Sequence, residues 1–379
     1  MPASTVQPQR PELSPFAQQF AARIGRDGPV PLVQFMGQAA QEYYASQHVF
    51  GRGGDFTTAP EISQLFGEMI ALWLTDLWLR MGRPEHVQLI ELGPGRGTLA
   101  ADIMRTVKTW PDFSNALTLH LVETSPRLRE EQSRALNAYR PAWYDSIDDV
   151  PLGLSFIVAN EFLDALPIHQ FEKTASGWME RYVDFNAPEQ RFVFTLKDIP
   201  AGVSIPHDFD NAQPGSIFEI SPASLDVMQK IGNRLRACGG AALLIDYGHD
   251  QPGLGDTLQA LEKHAYADAL QNPGGRDITA HVDFMTCAAA SGEGIAIHGP
   301  VTQGAFLNHM GIGARAEMLC ASADSTAGAE LKSGFARLVD PAQMGRIFKV
   351  MGLTVQSAGL TPAGFADDTG GEEGDTHHG

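Results

Sequence analysis

Residues 87–104, VQLIELGPGRGTLAADIM, combine a short apolar run, an acidic residue and three glycines at alternate positions. The run VQLIEL is typical of a buried strand, and TLAADIMRTV has the apolar spacing of an amphipathic helix. Gly93, Gly95 and Gly97 lie between the two. A glycine turn at the start of a helix exposes main-chain N–H groups, which can bind an anion or a polar nucleoside. We therefore expect a cofactor site at this turn.

The alternation of apolar runs and helical patterns continues along the chain. LTLHLVE, LSFIVAN and GGAALLIDYG predict strands, and SPRLREEQSRAL predicts a helix. Nearly continuous apolar strands separated by helices indicate a mostly parallel sheet with helices on both faces. The late runs GIAIHGPVTQ and MGRIFKVMGL are candidates to close this sheet. The predicted fold class is α/β.

Other segments predict additions to this core. PFAQQFAARIG and VPLVQFMGQAAQEYYAS are amphipathic, and another helix is expected after Thr58, which lies at capping-box spacing from Glu61. About eighty residues separate LSFIVAN from AALLIDYG, far more than a crossover needs, and WMERYVDFNAPEQRFVFTL alternates like a β-hairpin. We predict an N-terminal helical region, 1–85; a core, 86–165 and 236–358; an inserted α+β cap, 166–235; and a disordered acidic tail, 359–379.

Composition limits the classes of partner. The chain has 379 residues, enough for one large domain or two ordinary ones, and a net charge of −18. This charge disfavours nucleic acids and anionic membranes and favours basic or neutral partners. Cys238, Cys287 and Cys320 are odd in number and far apart, which fits a reducing compartment better than a disulfide framework or a zinc site. No apolar stretch has the length of a membrane span.

The N-terminal sequence MPASTVQPQRPELSPFAQQF bears on location. It lacks the apolar segment of a secretory signal, and its prolines and acidic residue disfavour an amphipathic transit peptide. We expect a cytoplasmic protein of bacterial type, with the mitochondrial matrix as the alternative in a eukaryotic cell. A homo-oligomer is left open.

The spacing of the glycines discriminates between cofactors. A P-loop requires a lysine, which is absent after Gly97, and a dinucleotide fingerprint requires a glycine where Thr98 stands. The remaining pattern, Glu91 followed by Gly93, Gly95 and Gly97, resembles the first motif of class I S-adenosylmethionine methyltransferases. The resemblance implies S-adenosylmethionine as cofactor, with Glu91 accepting from its ammonium group. The alternative is a tight turn that binds no ligand.

Acidic residues after the second and third strands are further candidates for cofactor contacts. Glu123 ends LTLHLVE, where a carboxylate can accept both ribose hydroxyls. The alternative is a surface acid that caps the helix beginning at Ser125. Asp145, with Trp143 beside it, is a candidate for the adenine amine, or else an ordinary surface residue.

A second polar group follows LSFIVAN, at the strand end where open α/β sheets place their chemistry. It contains Asn160, which we assign to the cofactor, and the acids Glu161 and Asp164, which we assign to catalysis. The two carboxylates would grip a cationic acceptor. The alternative is that they cap the next segment.

Five segments in the same order resemble the MidA-like methyltransferase family: GGDFTTAPEISQLFGE, IELGPGRGTLAADIMR, VANEFLDALPIHQF, LLIDYG and GGRDITAHVDF. The resemblance implies a Rossmann-like class I methyltransferase fold with helical and capping additions. Mitochondrial members of this family are protein arginine methyltransferases that assist the assembly of respiratory complex I. The resemblance therefore implies symmetric dimethylation of an arginine on a complex I subunit, with Glu161 and Asp164 holding the guanidinium and accepting its proton.

Two further segments are candidates for roles near the site. Gly53, Gly54 and Asp55 are candidates for a lid over the cofactor, and we include Gly54 and Asp55 among the cofactor residues; the alternative is a connector. The segment RDITAHVDF contains His281 beside acids, but it lacks the second histidine at helical spacing that a metal site needs. We predict no metal there, and a structural role or a place in the acceptor cleft.

The sequence leaves three functions open. The first is a protein arginine methyltransferase, the second is a methyltransferase of a small amine or hydroxyl compound, and the third is a cofactor-binding assembly factor without catalysis. The acidic composition suits a basic protein segment in the first and third cases.

Overall fold

The computed structural model describes residues 13–46, 58–200, 203, 205–262 and 265–365. Their helices are α1 (Pro15–Asp27), α2 (Leu32–Ser46), α3 (Ala59–Ile62), α4 (Gln64–Arg80), α5 (Thr98–Val107), α6 (Pro111–Ala116), α7 (Pro126–Leu136), α8 (Pro222–Cys238), α9 (Phe284–Ala290), α10 (Gln303–His309), α11 (Ile312–Ser322), α12 (Ser325–Val339) and α13 (Met344–Ile347). Their strands are β1 (Val30–Pro31), β2 (Val87–Leu92), β3 (Leu117–Val122), β4 (Ala142–Tyr144), β5 (Ser155–Asn160), β6 (His169–Thr174), β7 (Gly177–Asn186), β8 (Arg191–Lys197), β9 (Ile217–Ile220), β10 (Gly240–His249), β11 (Gln259–Glu262), β12 (Ala265–Ala267), β13 (Asp277–Thr279), β14 (Val282–Asp283), β15 (Ile295–Thr302) and β16 (Phe348–Val355).

The chain divides into two compact units. The cap unit comprises Met1–Thr57, Asp164–Ser224 and Pro252–His281, and the sheet unit comprises the rest of the chain. The division differs from the one expected from the sequence, because the N-terminal region 1–85 is split between the two units. The helices α1 and α2 belong to the cap unit, whereas α3 and α4 belong to the sheet unit.

The sheet unit is built on an eight-stranded sheet among the described residues, in the order β15-β16-β10-β5-β2-β3-β4, with β14 pairing with β10. The strands β4, β3, β2, β5 and β10 run parallel, and β16 is antiparallel to both β10 and β15. The predicted α/β, Rossmann-like class is therefore confirmed. The chain order reverses between β2 and β5, and ligands bind at the carboxyl ends of strands beside such a reversal.

The apolar runs form the strands because both faces of this sheet are covered. All residues of β5 are buried, and so are most of those in β2 and β10. On one side, α4 buries Leu65, Phe66, Trp73 and other apolar residues in the same core as Leu99 of α5. This continuous core fixes the carboxyl ends of the strands, where the candidate site residues lie.

The start of α3 shows that spacing alone does not establish a capping box. The helix begins after Thr58, as expected, but the Thr58 side chain makes no capping hydrogen bond. The Glu61 carboxylate instead accepts a hydrogen bond from the Thr98 hydroxyl, at the start of α5. Glu61 thus connects two helix starts rather than closing one.

The cap unit contains a five-stranded antiparallel sheet among its described residues, in which β1, β7, β6 and β9 are neighbours and β8 pairs with β7. The hairpin expected around NAPEQ is confirmed as β7 and β8, with Asn186 opposite Arg191. The helices α1 and α2 pack their apolar faces against this sheet, where Phe20 and Phe35 contact Phe192.

Two limits follow for the described residues. None of the helices within 13–46, 58–200, 205–262 and 265–365 is both long enough and apolar enough to cross a bilayer. The same part of the chain holds no group of three His, Cys, Asp or Glu side chains that could bind a metal ion.

Candidate functional site

The glycine turn lies between β2 and α5, at the reversal point of the sheet. Gly93, Gly95 and Gly97 have φ angles of 63°, 52° and 83°, in the left-handed region that favours glycine. The Gly97 N–H donates to the carbonyl of Pro94 at 2.7 Å, which closes the turn. A Cβ atom at Gly93 would lie only 2.6 Å from the ring of Phe162. The glycines are therefore required by the backbone conformation and by the close approach of a neighbouring side chain.

Glu91 is buried beneath this turn. Its side chain is 4% exposed, and burial raises its pKa from 4.5 to about 8, although the carboxyl group accepts a hydrogen bond from the Ala100 N–H. The Oε2 atom is buried and has no hydrogen-bond partner among the described residues. A buried polar atom without a hydrogen-bond partner is costly, so Oε2 is a candidate acceptor for a ligand.

Glu123 lies directly after β3 and is also buried, with 9% of its surface exposed. Its Oε1 accepts from the Ser125 N–H at 2.8 Å, and Gln132 Nε2 donates to Oε2 at 3.3 Å. Burial raises the pKa of Glu123, and these hydrogen bonds partly offset that effect. Glu123 is buried and so is not the surface acid of the alternative, but its carboxylate does lie at the start of α7, whose N-cap is Ser125. Contact of Glu123 with a ribose stays a prediction.

Asp145 follows β4 and differs from Glu123 in exposure. Its side chain is 76% exposed and pairs with Arg129 at 2.6 Å. Trp143, two residues earlier, donates its indole N–H to Gln132 Oε1 at 2.8 Å. Contact of Asp145 with an adenine amine stays a prediction, whereas the exposed ion pair is what the structure shows.

Asn160 and Glu161 lie at the end of β5, on the other side of the reversal point. Glu161 has a φ of 50°, which is uncommon for a residue with a side chain and is found at strained functional positions. Its Oε1 accepts from the Ala59 N–H at 3.0 Å and from Asn160 Nδ2 at 3.2 Å. Asn160 is buried, and its Oδ1 has no hydrogen-bond partner among the described residues. The carboxylate of Glu161 is thus held in one orientation by two donors.

Asp246, which was not singled out in the sequence, holds the segment after Glu161. The residue is 1% exposed, and its carboxylate accepts from the N–H groups of Phe162 at 3.2 Å, Leu163 at 3.0 Å and Tyr247 at 2.9 Å. The Glu161 N–H in turn donates to the carbonyl of Ile245 at 2.9 Å. An acid at the end of the apolar run LLID was the available signal, because buried acids require donors.

Asp164 belongs to the cap unit and is 5% exposed. Its carbonyl accepts from the Ala280 N–H at 3.0 Å. The Tyr44 hydroxyl donates to Asp277 Oδ1 at 3.1 Å. Burial, and then the charges of Asp277 and Asp164, raise the pKa of Tyr44 well above its usual value. The catalytic role assigned to Asp164 stays a prediction.

The segment that contains His281 has the local contacts of a structural element. Arg276 donates to the carbonyls of Asp268 and Gln271 at 3.0 and 3.1 Å, and the His281 N–H donates to Thr257 Oγ1 at 2.9 Å. Asp283 caps α9. The predicted lid residues Gly53, Gly54 and Asp55 lie outside the described residues.

The residues present fit a nucleoside with an attached amino acid. The turn offers bare backbone at three glycines, and two buried acceptor atoms beside it, Glu91 Oε2 and Asn160 Oδ1, have no partners among the described residues. Glu123 places a carboxylate after β3, where a ribose is held in sheets of this kind.

Comparisons with known proteins agree with this geometry. A model of the family described as "Putative S-adenosyl-L-methionine-dependent methyltransferase" matches residues 69–301. The mitochondrial protein arginine methyltransferase NDUFAF7 of Danio rerio is 35% identical over 360 residues, covering 87% of this chain and 84% of that protein. The Homo sapiens protein of the same name is 34% identical over 379 residues, covering 92% of this chain and 85% of its own.

A solved structure gives the same result for the fold. A Burkholderia thailandensis protein bound to S-adenosyl-homocysteine matches with a TM-score of 0.77 and 25% sequence identity, covering 93% of this chain and 98% of that chain. The cofactor expected from the glycine turn is therefore that of the family. On the match over most of its length, this chain belongs to the MidA-like family of S-adenosyl-L-methionine-dependent methyltransferases.

Proposed function

We propose that this enzyme methylates an arginine guanidinium in a basic protein segment. The observation that carries the proposal is the identity of 35% with proteins named protein arginine methyltransferases, over 84% of their length. The net charge of −18 suits a basic acceptor. The orientation of Glu161 supplies the carboxylate that such an acceptor requires.

The chain's own residues account for holding the cofactor. S-adenosylmethionine supplies an electrophilic methyl group on a sulfonium. Gly93, Gly95 and Gly97 present main chain to its methionine part, and Glu91 and Asn160 offer acceptors that have no other partner among the described residues. Glu123 accepts hydrogen bonds from its ribose hydroxyls.

Glu161 would hold the acceptor. A guanidinium is planar and charged at neutral pH, so one nitrogen must be oriented toward the methyl group and must lose a proton. As the bond from this nitrogen to the methyl carbon formed, the bond from the methyl carbon to the sulfonium would break and S-adenosylhomocysteine would be released. With Oε1 bound to the Ala59 N–H, the Glu161 carboxylate is pre-oriented to bind the guanidinium fork and to take that proton. Asp164 is the second carboxylate that we assign to this role.

The finer identity of the acceptor is part of the same proposal. The family resemblance favours an arginine of a respiratory complex I subunit and a symmetric dimethyl product. The named relatives are mitochondrial proteins, and a cytoplasmic location of this chain stays a prediction.

The test combines methyl transfer with cofactor binding. Complex I subunits from cells that lack this protein are incubated with the purified enzyme and S-adenosylmethionine, and methylarginine is located by mass spectrometry. Glu161→Gln is expected to reduce transfer about 100-fold or more while retaining S-adenosylhomocysteine binding. The matched control is Glu293→Gln, at an exposed acid, with wild-type transfer expected.

Three results would contradict the proposal. Full transfer by Glu161→Gln would remove the role of this carboxylate. Transfer only to small amines or hydroxyl compounds would favour the second function considered for the sequence. Binding of both cofactor and subunit without transfer would favour a non-catalytic assembly factor.

A further inference from the structure

A buried glutamine on α7 connects the parts of the proposed cofactor site. Gln132 is 0% exposed, although glutamine is mostly an exposed residue in proteins. Its Nε2 donates to the carbonyl of Gly95 at 2.7 Å and to Glu123 Oε2 at 3.3 Å, and its Oε1 accepts from Trp143 Nε1 at 2.8 Å. One side chain thus contacts the glycine turn, the acid after β3 and the edge strand β4.

The orientation of this amide is fixed by the chemistry of its partners. An indole N–H only donates, so the amide oxygen must face Trp143. A carbonyl and a carboxylate only accept, so the amide nitrogen must face Gly95 and Glu123. A flipped amide would place like groups against one another at all three contacts. Gln132 therefore has one hydrogen-bonded orientation.

The packing of α7 supports the same connection. Where Gly97 has no side chain, a Cβ atom would lie 3.0 Å from Leu136 Cδ1 and 3.5 Å from Gln132 Cγ. The helix therefore packs directly on the turn, so a displacement of Gln132 would be felt at both the turn and Glu123. The hydrogen bond from Gln132 also favours the charged form of Glu123 against the effect of burial.

We propose that Gln132 is a positioning residue that fixes the Glu123 carboxylate relative to the glycine turn, and that it thereby sets the enzyme's recognition of the cofactor's ribose. The proposal rests on the cofactor site described above. Gln132 itself is assigned no contact with the reacting atoms. Its effect is on the acid that accepts from the ribose hydroxyls.

The experiment compares two ligands rather than one. Calorimetry measures the affinity of the full chain for S-adenosylhomocysteine and for its 2′-deoxy analogue, which removes one hydroxyl partner of Glu123. Gln132→Met keeps the length of the side chain and removes all three hydrogen bonds. We expect the affinity of Gln132→Met for S-adenosylhomocysteine to fall about tenfold or more. The ratio of its affinities for S-adenosylhomocysteine and for the 2′-deoxy analogue should also fall, toward the ratio measured for the reference variant Glu123→Gln.

A merely structural role predicts a different pattern. General loosening would weaken both ligands equally and leave the preference at the wild-type value, and that result would overturn the proposal. If Gln132→Met does not fold, Trp143→Phe removes the donor that fixes the amide and is expected to shrink the preference to a lesser degree. An unchanged preference in that variant would equally refute the inference.

Failure of the proposed cofactor site would look different. Wild-type protein that binds neither ligand, or binds both equally, contradicts the assignment of Glu123 and with it the role of Gln132. If the wild type and Gln132→Met both prefer S-adenosylhomocysteine over its 2′-deoxy analogue to the same degree, the assignment of Glu123 stands. Only the role of Gln132 is then contradicted.

Discussion

Replacing Glu91 by glutamine tests whether the buried acid beneath the glycine turn is neutral at physiological pH. The side chain is 4% exposed, and its pKa is raised from 4.5 to about 8 because burial outweighs the hydrogen bond from the Ala100 N–H. Glutamine has nearly the same shape and retains an acceptor for that N–H, but it does not ionise. In the cofactor-free protein the substitution therefore mainly removes the titration, although it also replaces one of the two carboxyl oxygens by an NH2 donor.

The sign of the effect follows from the two pKa values. Because the pKa of Glu91 is higher in the folded protein than in the unfolded chain, the folded protein keeps a proton between about pH 4.5 and 8 that the unfolded chain releases. The stabilisation is complete below about pH 4.5 and is lost as the pH rises through about 8. The difference between the two values corresponds to roughly 5 kcal/mol of unfolding free energy.

The assay is urea unfolding of the cofactor-free protein at several pH values between 5 and 8.5. Other titrating groups are shared by the wild type and Glu91→Gln, so the difference between the two proteins isolates this residue. We expect Glu91→Gln to gain stability relative to the wild type by several kcal/mol between the two ends of the range. Glu293→Gln is the control, for which the difference is expected to be constant.

A second measurement follows the proton on ligand binding. At pH 7, the ammonium of S-adenosylhomocysteine is expected to favour the ionised carboxylate, so binding should release up to about one proton from the wild type and none from Glu91→Gln. Calorimetry in buffers of different ionisation enthalpy counts these protons. Parallel stability curves for the two proteins from pH 5 to 8.5 would refute the reasoning, because Glu91 would then be ionised in the folded protein as it is in the unfolded chain.

Three further substitutions address the turn, the segment after β5 and the base of the sheet. Gly93→Ala places a Cβ 2.6 Å from the Phe162 ring, at a φ of 63°. Calorimetry should therefore show a loss of S-adenosylhomocysteine affinity of about tenfold or more. The control Gly313→Ala, whose Cβ would have no atom within 4 Å, should bind with wild-type affinity. Asp246→Ala removes the acceptor for three main-chain N–H groups and should lower the rate of methyl transfer about tenfold or more, with a smaller change in cofactor affinity. Equal losses of transfer rate and of cofactor affinity would contradict a role of Asp246 in positioning Glu161. Arg234 is 6% exposed, and its guanidinium donates to the carbonyls of Val150 and Pro151. Arg234→Met removes these donors, and urea unfolding should show a loss of stability of about 3 kcal/mol; a loss within experimental error would contradict this structural role.

The strands of the sheet were predictable because their burial is nearly complete. Nearly continuous apolar runs such as those in VQLIEL and LSFIVAN are typical of strands in a sheet that is covered on both faces. The strands β2 and β5 lie in these two segments. The glycine turn was predictable for a similar reason, since alternate glycines indicate positive φ angles. At the strands and at the glycine turn, the conformation that the local sequence favours is the one found in the folded protein.

The division into two units was less accessible to sequence reasoning. The helices α1 and α2 are amphipathic, and amphipathicity states that one face is buried but not against which element. Their partner is the cap-unit sheet, whose strand β7 begins about 150 residues later in the chain. Because these helices follow one another in the chain, the sequence suggested a single N-terminal region. In the structure, α1 and α2 belong to the cap unit, and α3 and α4 belong to the sheet unit.

Gln132 shows where a polar helix conceals a buried residue. The segment PRLREEQSRAL carries polar side chains at most positions, but Leu128 and Leu136 lie four residues before and after Gln132. Helical spacing therefore places the glutamine on the same buried face as these leucines, unlike exposed neighbours such as Glu130. Its burial follows from Gly95 and Trp143, which approach from outside the helix. A pattern within one helix can indicate which face is buried, but it cannot identify hydrogen-bond partners that lie on other elements.

Three acids in or after neighbouring strands show that similar sequence patterns can have different hydrogen-bond partners. Glu91 lies one residue before the end of β2, Glu161 directly follows β5, and Asp246 lies in β10 next to Ile245, which pairs with Asn160. The sequence shows each of them as an acid after an apolar run. The hydrogen-bond donors of these carboxyl groups differ. Glu91 accepts from the Ala100 N–H, Glu161 accepts from the Ala59 N–H and from Asn160, and Asp246 accepts from three main-chain N–H groups. Three similar sequence signals therefore correspond to three different local environments, and the cofactor role of Glu91 and the acceptor role of Glu161 remain proposals.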